Sequence, residues 1–133
     1  MSGITELSEL LTSMEPHLND TEYVFCTVQG KMDDYIGLNP IATFIEPEGL
    51  TLVLDKRDAT ANALAFDGCF KQIILTVHSS LEAVGLTAAV STKLAEKGIS
   101  ANVIAAFYHD HIFVPVAKAE IALDALLEFK NAD

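Results

Sequence analysis

The 133-residue chain has no tryptophan, one arginine (Arg57) and two cysteines, and each shortage closes off a class of function. Eight basic side chains against nineteen acidic ones give a formal charge of −11, so there is no basic patch to neutralise phosphates. Nucleic acid and acidic membranes are therefore not expected partners, and the acidity favours cationic or zwitterionic small ligands. Cys26 and Cys69 sit in strand-like runs without CxxC spacing and read as reduced thiols rather than a disulfide or a metal knot. No apolar stretch reaches the roughly 18 to 20 residues of a membrane span. The opening MSGITELSELL lacks a basic start followed by an apolar block, so no secretory leader is expected and the cytoplasm is the expected location. Glycine and proline are also scarce, at seven and four, while 50% of the residues are hydrophobic; one packed, cooperative fold follows.

The apolar periodicity alternates between helix and strand. Ile4, Leu7, Leu10, Leu11 and Met14 recur at helical spacing and predict a short opening helix. EYVFCTV at 22 to 28 reads as a strand, and QGKMDDYIGLNP after it as a loop. IATFIEPEGLTLVLD, residues 41 to 55, holds two β-rich runs separated by Pro47, Glu48 and Gly49, the chemistry of a hairpin. DATANALAF at 58 to 66 predicts a helix capped by Asp58. A strand is expected at 70 to 77, then the loop HSSLEAV. Leu86, Val90 and Leu94 predict a helix closed by Gly98 as a left-handed cap. NVIAAFY and IFVPV form a second hairpin with HDH between its arms. A closing helix carries Ile121, Ala122, Ala125, Leu126 and Phe129 on one stripe.

The two halves of the chain have parallel layouts. YVFCTV begins at 23 and QIILTV at 72, whereas IATF begins at 41 and IAAF at 104, so the second half holds 14 more residues between its matching strands. That is about four helical turns, the length of GLTAAVSTKLAEKG. The second half reads β-α-β-β-α, and the first reads the same with its first helix replaced by a loop and a helix added at the N-terminus.

HDH at 109 to 111 admits three readings. His109 and His111 are two apart and would share one face of a strand, with Asp110 on the other, so two metal ligands converge where zinc needs three or four. Ser79 and Ser80 lack the GxSxG elbow of a catalytic triad. Aspartate tolerates turn geometry, which makes a hairpin turn the simplest reading. No nucleophile, cofactor loop or metal set accompanies these residues, so neither catalysis nor a cofactor is expected.

The stretch from FKQIILTV through the helix ending LAEKGIS to DHIFVP resembles the ACT domain, a ferredoxin-like module that binds amino acids and regulates enzymes. Together with PIATFIEPEGLTLVLD, the whole chain is similar to small bacterial stand-alone proteins of two ACT-like halves, and more distantly to the ACT repeats of the cytosolic arginine sensors of animals. The resemblance implies an α+β fold of antiparallel sheets with helices on one face, in two tandem halves, 1 to 67 and 68 to 133. It also implies a ligand site in the loop Ser80, Leu81, Glu82, Val84, Gly85 and Leu86 together with Asp110. The chemistry is consistent: a helix N-terminus at Gly85 suits an α-carboxylate, and Asp110, with Glu82, suits an ammonium. Where the arginine sensors carry an acidic residue two positions before the glycine, this chain has Ala83, so the implied site is not arginine-selective.

Residues 103 to 108 are apolar on both alternating faces, so a second sheet face must be covered by the other half or by another chain; a homodimer or larger assembly is expected. The leading functional expectation is a non-enzymatic amino-acid-binding regulatory protein. The alternative is a protein-interaction module whose ligand site has decayed.

Overall fold

The computed structural model describes residues 3 to 76 and 85 to 131. In chain order the elements are α1 (Gly3–Ser13), β1 (Glu15–Val28), β2 (Ala42–Glu46), β3 (Gly49–Asp55), α2 (Lys56–Ala61), β4 (Phe70–Thr76), α3 (Leu86–Glu96), β5 (Asn102–Ala105), β6 (Asp110–Pro115) and α4 (Ala119–Leu127), joined by short 3-10 turns. They divide into two compact units. One contains residues 1 to 20 with 71 to 133, and the other residues 21 to 70.

In the larger unit the strand order is β1, β4, β6, β5, with residues 15 to 20 as the β1 portion. Numbered from β4, this is the ferredoxin-like order of fourth, first, third and second strand, and the fourth place is filled from the start of the chain. β5 and β6 pair antiparallel, with Asn102 opposite Phe113 and Ala105 opposite Asp110. Alternation along β4 and β6 sends Ile73, Leu75, Ile112 and Val114 to one face, where Leu86, Val90 and Leu94 of α3 and Ala122, Ala125 and Leu126 of α4 meet them. Leu7, Leu11 and Leu18 pack on the same cluster. α3 stops as expected: Gly98 takes φ +73, its N–H reaches the Ala95 carbonyl (2.9 Å), and the Ile99 N–H reaches that of Leu94 (3.0 Å), a Schellman closure with Ile99 buried.

In the smaller unit β3 pairs antiparallel with β1 (Tyr23 opposite Asp55, Val28 opposite Leu50) and with β2, where Glu46 faces Gly49 across the Pro47–Glu48 turn. Val24, Cys26, Leu50, Leu52, Leu54 and Ala59 form its core, and burial pushes the Cys26 thiol pKa up. Where the larger unit has α3, residues between β1 and β2 make two single 3-10 turns, Met32–Asp34 and Ile36–Leu38. The Tyr35 hydroxyl donates to the Gln29 carbonyl at 2.7 Å and holds this segment.

Four local expectations are corrected. β1 starts at Glu15, seven residues before the predicted strand. α2 is capped by Asp55, whose Oδ1 accepts the Arg57 N–H at 2.8 Å, and Asp58 lies inside its first turn. Ile121 is 48% exposed, and the buried stripe of α4 runs through Ala119, Ala122, Ala125 and Leu126 instead. β5 ends at Ala105, so Phe107 and Tyr108 are not strand residues; they stand 74% and 79% exposed on the following turn, ring against ring at 4.9 Å. Tyr23 and Val53 of the smaller unit and Phe113 of the larger are also under 9% exposed and belong to neither helix-facing cluster.

Leu94 has no exposed surface at the centre of the larger core, so Leu94→Ala is expected to destabilise the fold by about 2 to 5 kcal/mol in denaturant titration. Gly85 adopts φ +97, and a Cβ there would meet Leu7 Cδ2 at 3.2 Å. Gly85→Ala is expected to cost about 1 to 2 kcal/mol from the backbone alone; no loss in the same titration would show that this backbone angle is not held.

Candidate functional site

The hairpin between β5 and β6 turns through Ala106 to His109, closed by the Ala106 N–H donating to the His109 carbonyl at 3.0 Å. HDH is therefore not the turn. His109 ends it, while Asp110 and His111 open β6, opposite Ala105 and Ile104. The registry puts His111 on the sheet face opposite Ile112, beside Gln72 of β4, and Gln72 Nε2 lies 2.9 Å from His111 Nδ1. The Gln72 carbonyl oxygen accepts a hydrogen bond from Asn19 Nδ2 at 3.1 Å. With its oxygen thus engaged, the Gln72 amide NH₂ faces Nδ1, an arrangement that suits the neutral tautomer with its proton on Nε2. Burial, then the neighbouring His109, push the His111 pKa down, against an opposing pull from Asp110. His109 Nδ1 is buried and has no hydrogen-bond partner among the described residues. Among those residues no group of three or more His, Cys, Asp or Glu side chains is arranged to hold a metal.

Of the expected site, Ser80, Leu81, Glu82 and Val84, with the Ala83 substitution, lie outside the described residues. Gly85, Leu86 and Asp110 are described. Gly85 precedes α3 and its carbonyl accepts the Ala89 N–H at 2.8 Å. The N–H groups of the first helical turn, from Leu86 on, have no carbonyl within the helix to bond, and they carry the positive end of the helix dipole. The Leu86 side chain is 5% exposed in the core, so only its main chain can face a ligand. Asp110 comes to this helix end: its Oδ2 is 3.5 Å from Thr87 Oγ1, at the outer limit of a hydrogen bond. The side of Gly85 where a Cβ would project is occupied by Leu7, which accounts for glycine there without a ligand.

Two features were not anticipated from the sequence. One is the Asn19–Gln72–His111 chain, whose signal was a glutamine inside the apolar run FKQIILT. The other is a shallow groove of about 510 Å³ beside Gly85, lined by Leu7, Ala88, Ala89, Thr92, Lys93, Glu96 and Phe129. Its rim is fixed by Lys93, which lies 5.1 Å over the Phe129 ring and 3.0 Å from Glu128. Lys97 adds a 3.2 Å contact to the same carboxylate, and the two lysines, Lys93 first, hold the Glu128 pKa below the usual carboxylate range.

Residues 2 to 71 and residues 70 to 128 each match an ACT domain. No match to a curated protein sequence was found. Among solved structures, a Vibrio cholerae protein of unknown function, described as a possible transport protein, is 61% identical with a TM-score of 0.91, over 97% of this chain and 99% of that one. A putative C-terminal regulatory domain of aspartate kinase from Porphyromonas gingivalis has a TM-score of 0.64 at 12% identity, over 90% and 98% of the two chains. The regulatory subunit of aspartate kinase from Thermus thermophilus has a TM-score of 0.59 at 8% identity, over 85% and 95%. The last two share the fold, while the paired matches carry the assignment: the chain belongs to the ACT-domain family, with two ACT regions in tandem.

Proposed function

We propose that the protein is a non-enzymatic regulatory module that binds an amino acid between the N-terminus of α3 and Asp110. The observation that carries this is the approach of Asp110 to Thr87 in the first turn of α3. A helix N-terminus and a carboxylate side by side match the two charges of an amino acid: main-chain N–H groups take the α-carboxylate and Asp110 takes the ammonium. Ser80, Leu81, Glu82 and Val84 remain candidate ligand residues, and Ala83 removes an acidic partner that an arginine side chain would use. The fold likeness to regulatory parts of aspartate kinases supports a regulatory role. No helix among the described residues is long and apolar enough to cross a membrane, and we place the protein in the cytoplasm. We further propose that it works as a homodimer or larger assembly, because Ile36, Phe44 and Ile45 are 64%, 45% and 84% exposed around strand β2. Light scattering is expected to exceed the 14.3 kDa of one chain; a monodisperse mass equal to it would remove the assembly.

An amino acid at about a hundred times its dissociation constant stabilises the fold by roughly 2.7 kcal/mol, which for this size raises the melting temperature on the order of 3 to 8 °C. A thermal-shift screen of the twenty amino acids is expected to find one that does so. Asp110→Ala is expected to abolish the gain while changing unliganded stability by no more than about 0.5 kcal/mol, and His109→Ala to retain it. If no amino acid moves the wild-type melt at millimolar concentration, the ligand assignment is wrong and a decayed interaction module takes its place.

A further inference from the structure

We propose that Asn19, Gln72 and His111 form a proton-sensitive latch across three neighbouring strands of the larger unit, held in its present hydrogen-bond sense when His111 is neutral and reversed or parted when it is protonated. The bonds run in one direction: Asn19 Nδ2 donates to Gln72 Oε1 at 3.1 Å, and Gln72 Nε2 lies 2.9 Å from the acceptor His111 Nδ1. A proton on Nδ1 would set two donors face to face. Gln72 would then have to turn its amide over, which would bring its NH₂ against that of Asn19, so either both amides reverse or the chain parts. Gln72 is only 6% exposed, so water cannot take over either bond cheaply. His111 stands opposite Ile104 of β5 in the strand register, and its ring meets Gln72 of β4, neither of them ionisable; the titratable groups acting on it are His109 and Asp110 of its own hairpin.

The sign of the linkage follows from the direction of the shift. Because the fold favours the neutral ring, His111 contributes stability that is fully present above its unfolded-state value of about 6.5 and is lost as the pH falls through and below it, toward the lowered folded-state value. The latch ties residues 15 to 20 of β1 to the strand that carries Asp110, and it does so whatever Asp110 binds.

Imidazole nitrogen and carbon NMR of the whole protein reads it directly. The wild type is expected to show His111 as the Nε2–H tautomer, titrating below about 6.5, with the Asn19 side-chain amide following the same midpoint. Gln72→Glu supplies an acceptor to the protonated ring and is expected to raise the midpoint by about one pH unit or more. An Nδ1–H tautomer, a wild-type midpoint at or above that of a free histidine, or an Asn19 amide that does not follow would overturn the latch. So would a folded Gln72→Glu protein with an unmoved midpoint; should that variant not fold, the wild-type tautomer and the Asn19 response decide alone.

Discussion

Strand β4 has a hydrogen-bonding neighbour on each side, β6 from the segment that follows it and β1 from the opening segment. Among the described residues, β6 is followed by α4 and a closing 3-10 turn rather than by a further strand. A bare edge on β4 would leave its N–H and C=O groups without partners beside a core. Residues 15 to 20 fill the place. Side chains reinforce the pairing at both ends: Thr76 Oγ1 donates to the Glu15 carbonyl at 2.8 Å, and Asn19 bonds Gln72. Lys130, at the far end of the chain, donates to the Met14 carbonyl at 3.3 Å and to Glu15 Oε2 at 2.6 Å. Met14 itself, fully buried, extends the core from the same segment.

That arrangement makes the candidate site a product of distant segments. β6 carries Asp110 at its first position and is held in register by β5 on one side and by β4 on the other. α3 brings Thr87 to Asp110 because Leu86, Val90 and Leu94 anchor it over β4 and β6. Leu7 of α1 backs Gly85 at the start of that helix. A carboxylate and a helix N-terminus are thus presented by a sheet and a well-anchored helix, the placement that the proposed amino-acid site needs.

Much of this was legible in the sequence for identifiable reasons. The spacing of Leu86, Val90 and Leu94 with Gly98 beyond defines α3 because periodicity and cap agree. The Pro47–Glu48 turn locates β2 and β3 for the same reason. The first half of β1 was not legible: HLND carries turn-favouring residues and a single inward apolar side chain, Leu18, so its strand character comes from pairing with β4 rather than from local preference. HDH reads as a turn because aspartate suits one, whereas the aromatic pair Phe107–Tyr108 occupies the turn and Asp110 takes a place in the β6 ladder. The meeting of Asp110 with Thr87 is a contact across 23 positions that no local pattern encodes; it was reachable only through the family resemblance.

Native-state hydrogen exchange tests the dependence of the site-bearing unit on the opening segment most directly. If residues 15 to 20 are the fourth strand of that unit, their hydrogen-bonded amides should be protected to the same free energy as those of residues 72 to 75 and 111 to 114, opening with them in one cooperative step. Exchange of residues 15 to 20 at rates near those of an unstructured chain, while the other two segments stay protected, would contradict the account.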